Sequence, residues 1–335
     1  MKNLSTPNAE EKVIDSTLRP YEWDDYIGQD RIKENIKVIV EAAKKRKEAS
    51  CEHILLCGGS GLGKTTLAHL ISREMSSHIK VTSGAAIERP GDLAAILTNL
   101  SEGDVLFIDE IHRLNRSCEE CVYPAMENFK LDIIVGKGPM ARTVELKIAP
   151  FTLIGATTRM AMLSSPLRNR FGATFRLGFY HDDEIEKIIK RSAKILKIEV
   201  NDEAVRAMSA RSRFTPRVAN RILKRVRDFA QVRDKKIIDQ KFVEEALLFL
   251  GIDEMGLESG DKKVLDTIIN KFKGGPVGVR SLSSSSGEEE DTILDIYEPY
   301  LMQKGLIERT PRGRVATEKA YQHMESEFTK KSLFE

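Results

Sequence analysis

The chain has 335 residues, 41% hydrophobic and 31% charged, and its 53 Lys and Arg against 51 Asp and Glu leave a formal charge of +2. At about 100–200 residues per domain, this length predicts two or three domains and excludes a single small module. No apolar run approaches the roughly 18 residues of a membrane span, the first twenty residues lack the apolar stretch of a signal peptide, and Cys51, Cys57, Cys118 and Cys121 are too few for a disulfide framework, so a reducing, cytoplasmic setting is expected.

The first fifteen or so residues are polar and are expected to stay outside the packed core, as are the last ten. Ile32, Ile36, Ile39, Val40 and Ala43 then mark an amphipathic helix that ends in the basic Lys44–Lys47 run. His53–Cys57 reads as a buried strand. It is followed directly by Gly58-Gly59-Ser60-Gly61-Leu62-Gly63-Lys64-Thr65, a full GxxxxGK[ST] placed just before an apolar-periodic helix (Leu67, Leu70, Ile71). That context marks a phosphate-binding loop. Glycines let backbone N–H groups converge on phosphates, the helix N-terminus adds partial positive charge, Lys64 reaches the outer phosphates, and the Thr65 hydroxyl suits Mg²⁺.

Val105–Ile108 is a second buried strand, and it delivers Asp109 and Glu110 at its end. Beside a phosphate loop, such a pair predicts hydrolysis as well as binding: Asp109 holds Mg²⁺ through water and Glu110 polarises the attacking water. Phe151–Ile154 is a third strand, leading to Gly155-Ala156-Thr157-Thr158, where a polar side chain can sense a γ-phosphate. Strands alternating with helices predict an α/β fold with a parallel, doubly wound sheet. Between them, Cys118-Glu119-Glu120-Cys121 has metal-ligand spacing but no second pair, so two helix-face thiols are expected rather than zinc, and His112 reads as a packing or supporting residue.

From Asp182 to about Gly251 the periodicity is helical throughout, which describes a small helical domain. Near-neutrality taken alone argues against nucleic acid, yet Arg206–Lys236 carries eleven Lys and Arg against Asp228 and Asp234, a local balance of +9. Val218, Ile222, Val226 and Phe229 fall at helical spacing, so most of these cations read as a solvated helix face. A third unit opens with Val264, Leu265, Ile268, Ile269 and Phe272 and passes Gly274-Gly275-Pro276. A second apolar pattern (Ile293, Ile296, Tyr297, Tyr300, Leu301) follows, and a hairpin turning at Pro311-Arg312-Gly313 closes the unit. Its outline is a winged helix; an arbitrary α+β cap fits the pattern as well. The second helix starts Glu288-Glu289-Glu290-Asp291, four carboxylates that repel phosphate, whereas the hairpin carries Arg309, Arg312 and Arg314. The wing is therefore the expected DNA contact, gripping phosphates with little base readout.

The segments GGSGLGKTT, GDLAAILTNL, VLFIDEIHRL, YPAME, FTLIGATTR, SPLRNRFG, TPRVANR, GGPVG, EPYLMQKGL and RTPRGRVAT, in this order, closely resemble the RuvB family of Holliday-junction branch-migration ATPases from about Leu18 to Tyr321. The resemblance implies an AAA+ ATPase domain (1–181), a helical lid (182–253) and a winged-helix head (254–335). It implies homo-hexameric rings that drive duplex DNA through four-way junctions with a RuvA tetramer, in a complex with the RuvC resolvase, using ATP and Mg²⁺. Carried over by motif, Gly61, Gly63, Lys64, Thr65 and Thr66 bind nucleotide and metal with Asp109 and Glu110, and Thr158 senses phosphate. Arg170 is a finger offered in trans and Arg217 the lid sensor. Leu18, Arg19, Tyr26, Ile27 and Tyr180 frame the nucleotide, with Glu127-Asn128-Phe129 beside it. A hairpin from Ile133 to Leu146, tipped by Lys137-Gly138-Pro139, resembles the RuvA-contacting hairpin; on its own it is an exposed two-strand excursion. Four departures stand out: Gly59-Ser60 where the family usually has prolines, Phe214 for a glycine before Thr215-Pro216-Arg217, Ser283–Ser286 for an alanine-rich helix, and Glu290 for an arginine. Two other readings share these motifs, a clamp-loader-like ATPase and a nucleotide-gated DNA-binding regulator.

Overall fold

In the computed structural model, which describes residues 17–135 and 142–325, the buried apolar runs become the middle of one parallel sheet. The strands of the first compact unit, Met1–Tyr180, are β1 Ile54–Cys57, β2 Ile79–Ser83, β3 Val105–Asp109, β4 Lys130–Val135, β5 Arg142–Lys147, β6 Thr152–Thr157 and β7 Ala173–Arg176. Five of them pair in the order β2-β3-β6-β1-β7, every pair parallel. β1, β3 and β6 are buried along almost their whole length because helices cover both faces of a parallel sheet. The sequence reading missed β2 and β7, which lie at the two edges and show exposed positions among half-buried ones. An edge strand needs no continuous apolar run, so neither announced itself. Phe107 and Phe151, fully buried, each contribute about 1.5–3 kcal/mol.

Helix α1 Asp30–Arg46 precedes the first strand, and α2 Lys64–Glu74, α3 Pro90–Thr98, α4 Arg116–Asn128 and the short α5 Ser165–Arg168 connect the strands that follow. As the periodicity predicted, α1 buries Ile36, Val40 and Ala43 and carries Lys44, Lys45 and Arg46 in its last turn, where cations complement the helix dipole. β4 and β5 form the antiparallel hairpin, Ile133 opposite Val144 and Leu131 opposite Leu146; its tip, with Lys137-Gly138-Pro139, lies outside the described residues, as do the first sixteen residues and the last ten.

The second unit, His181–Glu335, begins with α6 Asp182–Leu196, α7 Asp202–Ser209, α8 Pro216–Val232 and α9 Gln240–Phe249, with a two-residue parallel pairing of β8 Glu199–Val200 and β9 Ile237–Ile238. α8 starts where the Thr215 side chain accepts from the Val218 N–H and Pro216 occupies the first turn. Its stripe of Ala219, Ile222, Leu223, Val226 and Ala230 is buried. The cations around it are largely paired, Arg206 with Glu203, Arg225 and Arg227 with Asp228, Arg233 with Glu245 and Lys235 with Asp239, as a solvated face should be.

α10 Ser259–Asp266, α11 Val279–Ser286, α12 Glu290–Thr292 and α13 Glu298–Gln303 follow, with π-helical turns at Thr267–Lys271 and Ile293–Tyr297, and then the hairpin of β10 Ile307–Thr310 and β11 Gly313–Ala316. This is the winged-helix outline. The serine run is helical despite its low propensity because Leu282 and Ser286 are buried and Gly287, at φ +69, ends the helix. Among the described residues no helix is long and apolar enough to cross a membrane.

Candidate active site

The loop between β1 and α2 takes backbone angles that glycine alone adopts readily: Gly61 and Gly63 have φ of +81° and +101°. A Cβ on Gly63 would stand 2.5 Å from the Tyr26 hydroxyl. The Gly58 N–H donates to the Thr157 carbonyl (3.1 Å), which ties the loop to the end of β6. Lys64 is almost fully buried, and its Nζ donates to the Gly58 and Gly59 carbonyls, each at 2.8 Å. The ammonium is thus fixed over the loop, while Thr65 and Thr66 occupy the first turn of α2. Tyr26 and Tyr180, far apart in sequence, meet here: their hydroxyls lie 3.4 and 3.2 Å from the Leu62 carbonyl and 3.3 Å from each other. Leu18 is buried, Arg19 and Ile27 half-buried. Gln29, which sequence reasoning did not single out, brackets Gly178 with both ends of its amide (2.8 and 3.3 Å).

Asp109 ends β3, and Glu110 follows it in a left-handed conformation (φ +46°). Its N–H donates to Asp109 Oδ1 at 3.1 Å. The Glu110 carboxylate is held by its neighbours: Oε2 accepts from the Thr158 N–H (3.3 Å) and hydroxyl (3.1 Å) and lies 3.2 Å from His112 Nδ1. The same His112 nitrogen is 2.9 Å from Thr157 Oγ1. The carboxylate at the end of β3 and the threonine after β6 are therefore in direct contact, as adjacent parallel strands allow. His112, read from sequence as packing or support, is a member of this network. Hydroxyl and carboxylate oxygens, at Thr65 and Asp109, are the hard donors that suit Mg²⁺, which keeps waters and phosphate oxygens for the rest of its shell. No cluster of three or more His, Cys, Asp or Glu able to hold a metal occurs among the described residues. Cys118 is buried and Cys121 half-buried, their thiols pushed up by burial.

Arg170 ends the turn after α5, where its Nε lies 3.0 Å from Glu127 Oε1 and its guanidinium 4.3 Å from the centre of the Tyr123 ring. Glu127 is thus gathered with Arg170, Asn128 is exposed, and Phe129 packs edge-on against Phe151 (6.0 Å). Arg217 belongs to the second unit, exposed in the first turn of α8.

In the wing, Arg309 and Arg314 sit opposite each other across β10 and β11, and Arg312 is exposed at the turn. The three wing arginines differ in their settings. Arg314 is buried, with Nη2 and Nε at 2.7 and 3.1 Å from Glu298 Oε2. The Arg314 backbone also exchanges hydrogen bonds with Val277 (3.0 and 2.8 Å), which places it on the inner strand of the wing. Arg309 stays exposed, 3.9 Å from Glu298 Oε1.

α2 also carries a pH-sensitive group. Burial, reinforced by Arg19 and Arg73, pushes the half-buried His69 imidazole down to about 4. An unfolded histidine titrates near 6.5, so between these values the unfolded chain binds a proton that the folded chain refuses. The stability is present above pH 6.5 and is lost as pH falls toward 4, by about 1–2 kcal/mol after allowing for solvent screening. Melting temperature against pH should fall less steeply in His69→Gln over this range; equal slopes would refute the assignment.

Comparison with known proteins gives three adjoining matches. The family model described as "Holliday junction DNA helicase RuvB P-loop domain" matches residues 18–177, "RuvB AAA lid domain" residues 180–253, and "RuvB C-terminal winged helix domain" residues 254–325. Relatives named "Holliday junction branch migration complex subunit RuvB" are 54% identical in Kosmotoga olearia, over 96% of this chain and 94% of that one, and 56% identical in Dehalococcoides mccartyi, over 94% and 90%. A solved structure titled "Thermotoga maritima RuvB Holliday junction branch migration motor" is 48% identical, with a TM-score of 0.85 over 92% of this chain and 98% of that one. With a phosphate loop, a helical lid and a winged helix matched in order, and relatives more than half identical over nearly their whole length, the chain belongs to the RuvB family of P-loop ATPases.

Proposed function

We infer that the protein is an ATP-driven translocase that moves the branch point of Holliday junctions in recombination and DNA repair, working in the cytoplasm as a homo-hexameric ring with a RuvA tetramer and in complex with RuvC. The observation that carries the ATPase half is the contact between Glu110 and Thr158 beside the Lys64 loop. In this reading Gly61, Gly63, Lys64, Thr65 and Thr66 hold the nucleotide, and Tyr26 and Tyr180 brace the loop with Leu18, Arg19 and Ile27 around them. Glu110 orients and deprotonates the attacking water, and Thr158 reports the γ-phosphate to it. Mg²⁺, held by Thr65 and Asp109, would neutralise charge on the phosphates. Arg170, steadied by Glu127 and Tyr123, is offered to a neighbouring subunit, Arg217 acts from the lid, and the β4–β5 hairpin faces RuvA. Residues 1–181, 182–253 and 254–335 serve as motor, lid and DNA-touching head.

ATP should dissociate a synthetic four-way junction in the presence of RuvA; an intact junction after ATP turnover, or migration by Lys64→Ala, would overturn the reading. The wing supplies a separate prediction. Arg309→Ala and Arg312→Ala should each lower the slope of log affinity against log salt by about 0.9 on duplex DNA, weakening all sequences alike. Unchanged slopes in both would remove the wing from the DNA contact.

A further inference from the structure

The turn that launches Arg217 is held by the winged-helix part of the same unit. Arg213 and Phe214 are consecutive non-glycine residues in the left-handed region, both at φ +55°, a conformation uncommon for L side chains. Here the surroundings come from α10 and α13. Arg213 Nη2 lies 2.5 Å from Asp261 Oδ1, with arginine and aspartate both buried, and its guanidinium is 4.5 Å from the centre of the Tyr300 ring. The second Asp261 oxygen accepts the Glu258 N–H (2.8 Å), so that carboxylate caps α10 and grips the turn at once. Phe214 packs against Tyr300 with ring centres 6.1 Å apart, and Lys304 Nζ lies 4.8 Å over the Phe214 ring. The Tyr300 hydroxyl is anchored on the Met255 carbonyl (2.5 Å). One residue later Thr215 caps α8, and Arg217 is in its first turn.

α13 has a second attachment. Two residues before Tyr300, Glu298 holds Arg314 of the wing and faces Arg309. A single short helix thus touches the wing through Glu298 and the turn before Arg217 through Tyr300. From this junction we propose that Tyr300 and Phe214 are positioning residues through which DNA held at the wing adjusts Arg217, and so couples duplex binding to ATP turnover. Phe214, the departure from the family's glycine, gives Tyr300 a ring to push on. The coupling rests on the reading that Arg217 senses nucleotide and the wing holds DNA.

The test uses the full-length protein and measures ATP turnover with and without duplex DNA, DNA affinity and thermal melting, for Tyr300→Leu, Tyr300→Phe and Phe214→Gly. Tyr300→Leu should bind DNA within about twofold of wild type while its DNA stimulation of turnover falls by about fivefold or more, and Tyr300→Phe, which keeps the ring, should restore it. A merely structural role would lower melting and DNA affinity together and leave the stimulation ratio of the folded fraction unchanged, which overturns the proposal. Should Tyr300→Leu fail to fold, Phe214→Gly decides, since it leaves every winged-helix residue in place: the same loss of stimulation supports the coupling, and full stimulation overturns it. Wild-type turnover that ignores DNA would instead remove the motor reading itself, whereas stimulation that survives in the variants removes only the coupling.

Discussion

Glu110→Gln should bind ATP about as tightly as the wild type and hydrolyse it about 10²–10⁴-fold more slowly, the usual contribution of a general base. The substitution keeps the shape of the side chain and an oxygen able to accept from Thr158, so the network around it changes little in geometry. What disappears is the negative charge that draws a proton from water. A variant of Lys64 differs in kind, because that ammonium bridges two loop carbonyls and its loss disturbs the loop itself. Nucleotide retention by filter binding, together with phosphate release in a single turnover, separates the two effects. Turnover of Glu110→Gln within tenfold of wild type would exclude Glu110 as the base, and a pure nucleotide-gated binder would show just that.

The second large effect is on stability. Glu298→Ala leaves the Arg314 guanidinium buried without its carboxylate, and breaking a buried pair from one side costs about 3–5 kcal/mol. For a unit of this size that lowers the melting temperature by roughly 6–20 °C. The double change Glu298→Met with Arg314→Met removes both charges and should recover most of the loss, since apolar replacement of a buried pair is often neutral. A drop of less than about 2 °C in Glu298→Ala would show that the pair is dispensable. Arg314→Ala belongs with this series and not with the salt-slope variants: its signature is lost stability, with DNA affinity following only as far as the hairpin unravels.

The same contrast explains what could be read from the chain alone. Gly58–Thr65, Asp109-Glu110 and Thr158 were legible because phosphate chemistry demands those residue types at the ends of strands that are themselves marked by apolar runs. The strands β2 and β7 were silent because each is an edge. The burial of Arg314 was not legible, because it depends on a partner sixteen residues away, which no local pattern reveals. His112 and Gln29 act through neighbours distant in sequence, Thr157 and Gly178, and left no local signal of what they bind. Phe214 was noticed as an oddity against its family, but its ring partner Tyr300 comes from a helix that sequence reading had placed only as part of a separate head.

The position of β6 between β3 and β1 limits which kinds of change that strand can take. Leu106 is in register with Leu153, and Cys57 with Thr157, while Ile154 and Gly155 in the middle of β6 are paired on both sides at once. Substitution alters one side chain. Deletion or insertion of a single residue alters parity: Thr157 and Thr158 would exchange faces, taking one away from His112 and the other away from Glu110. The count from Phe151 to Thr158 therefore decides which threonine meets which partner. A library built from substitutions in this strand should yield active motors where one built from indels should yield none.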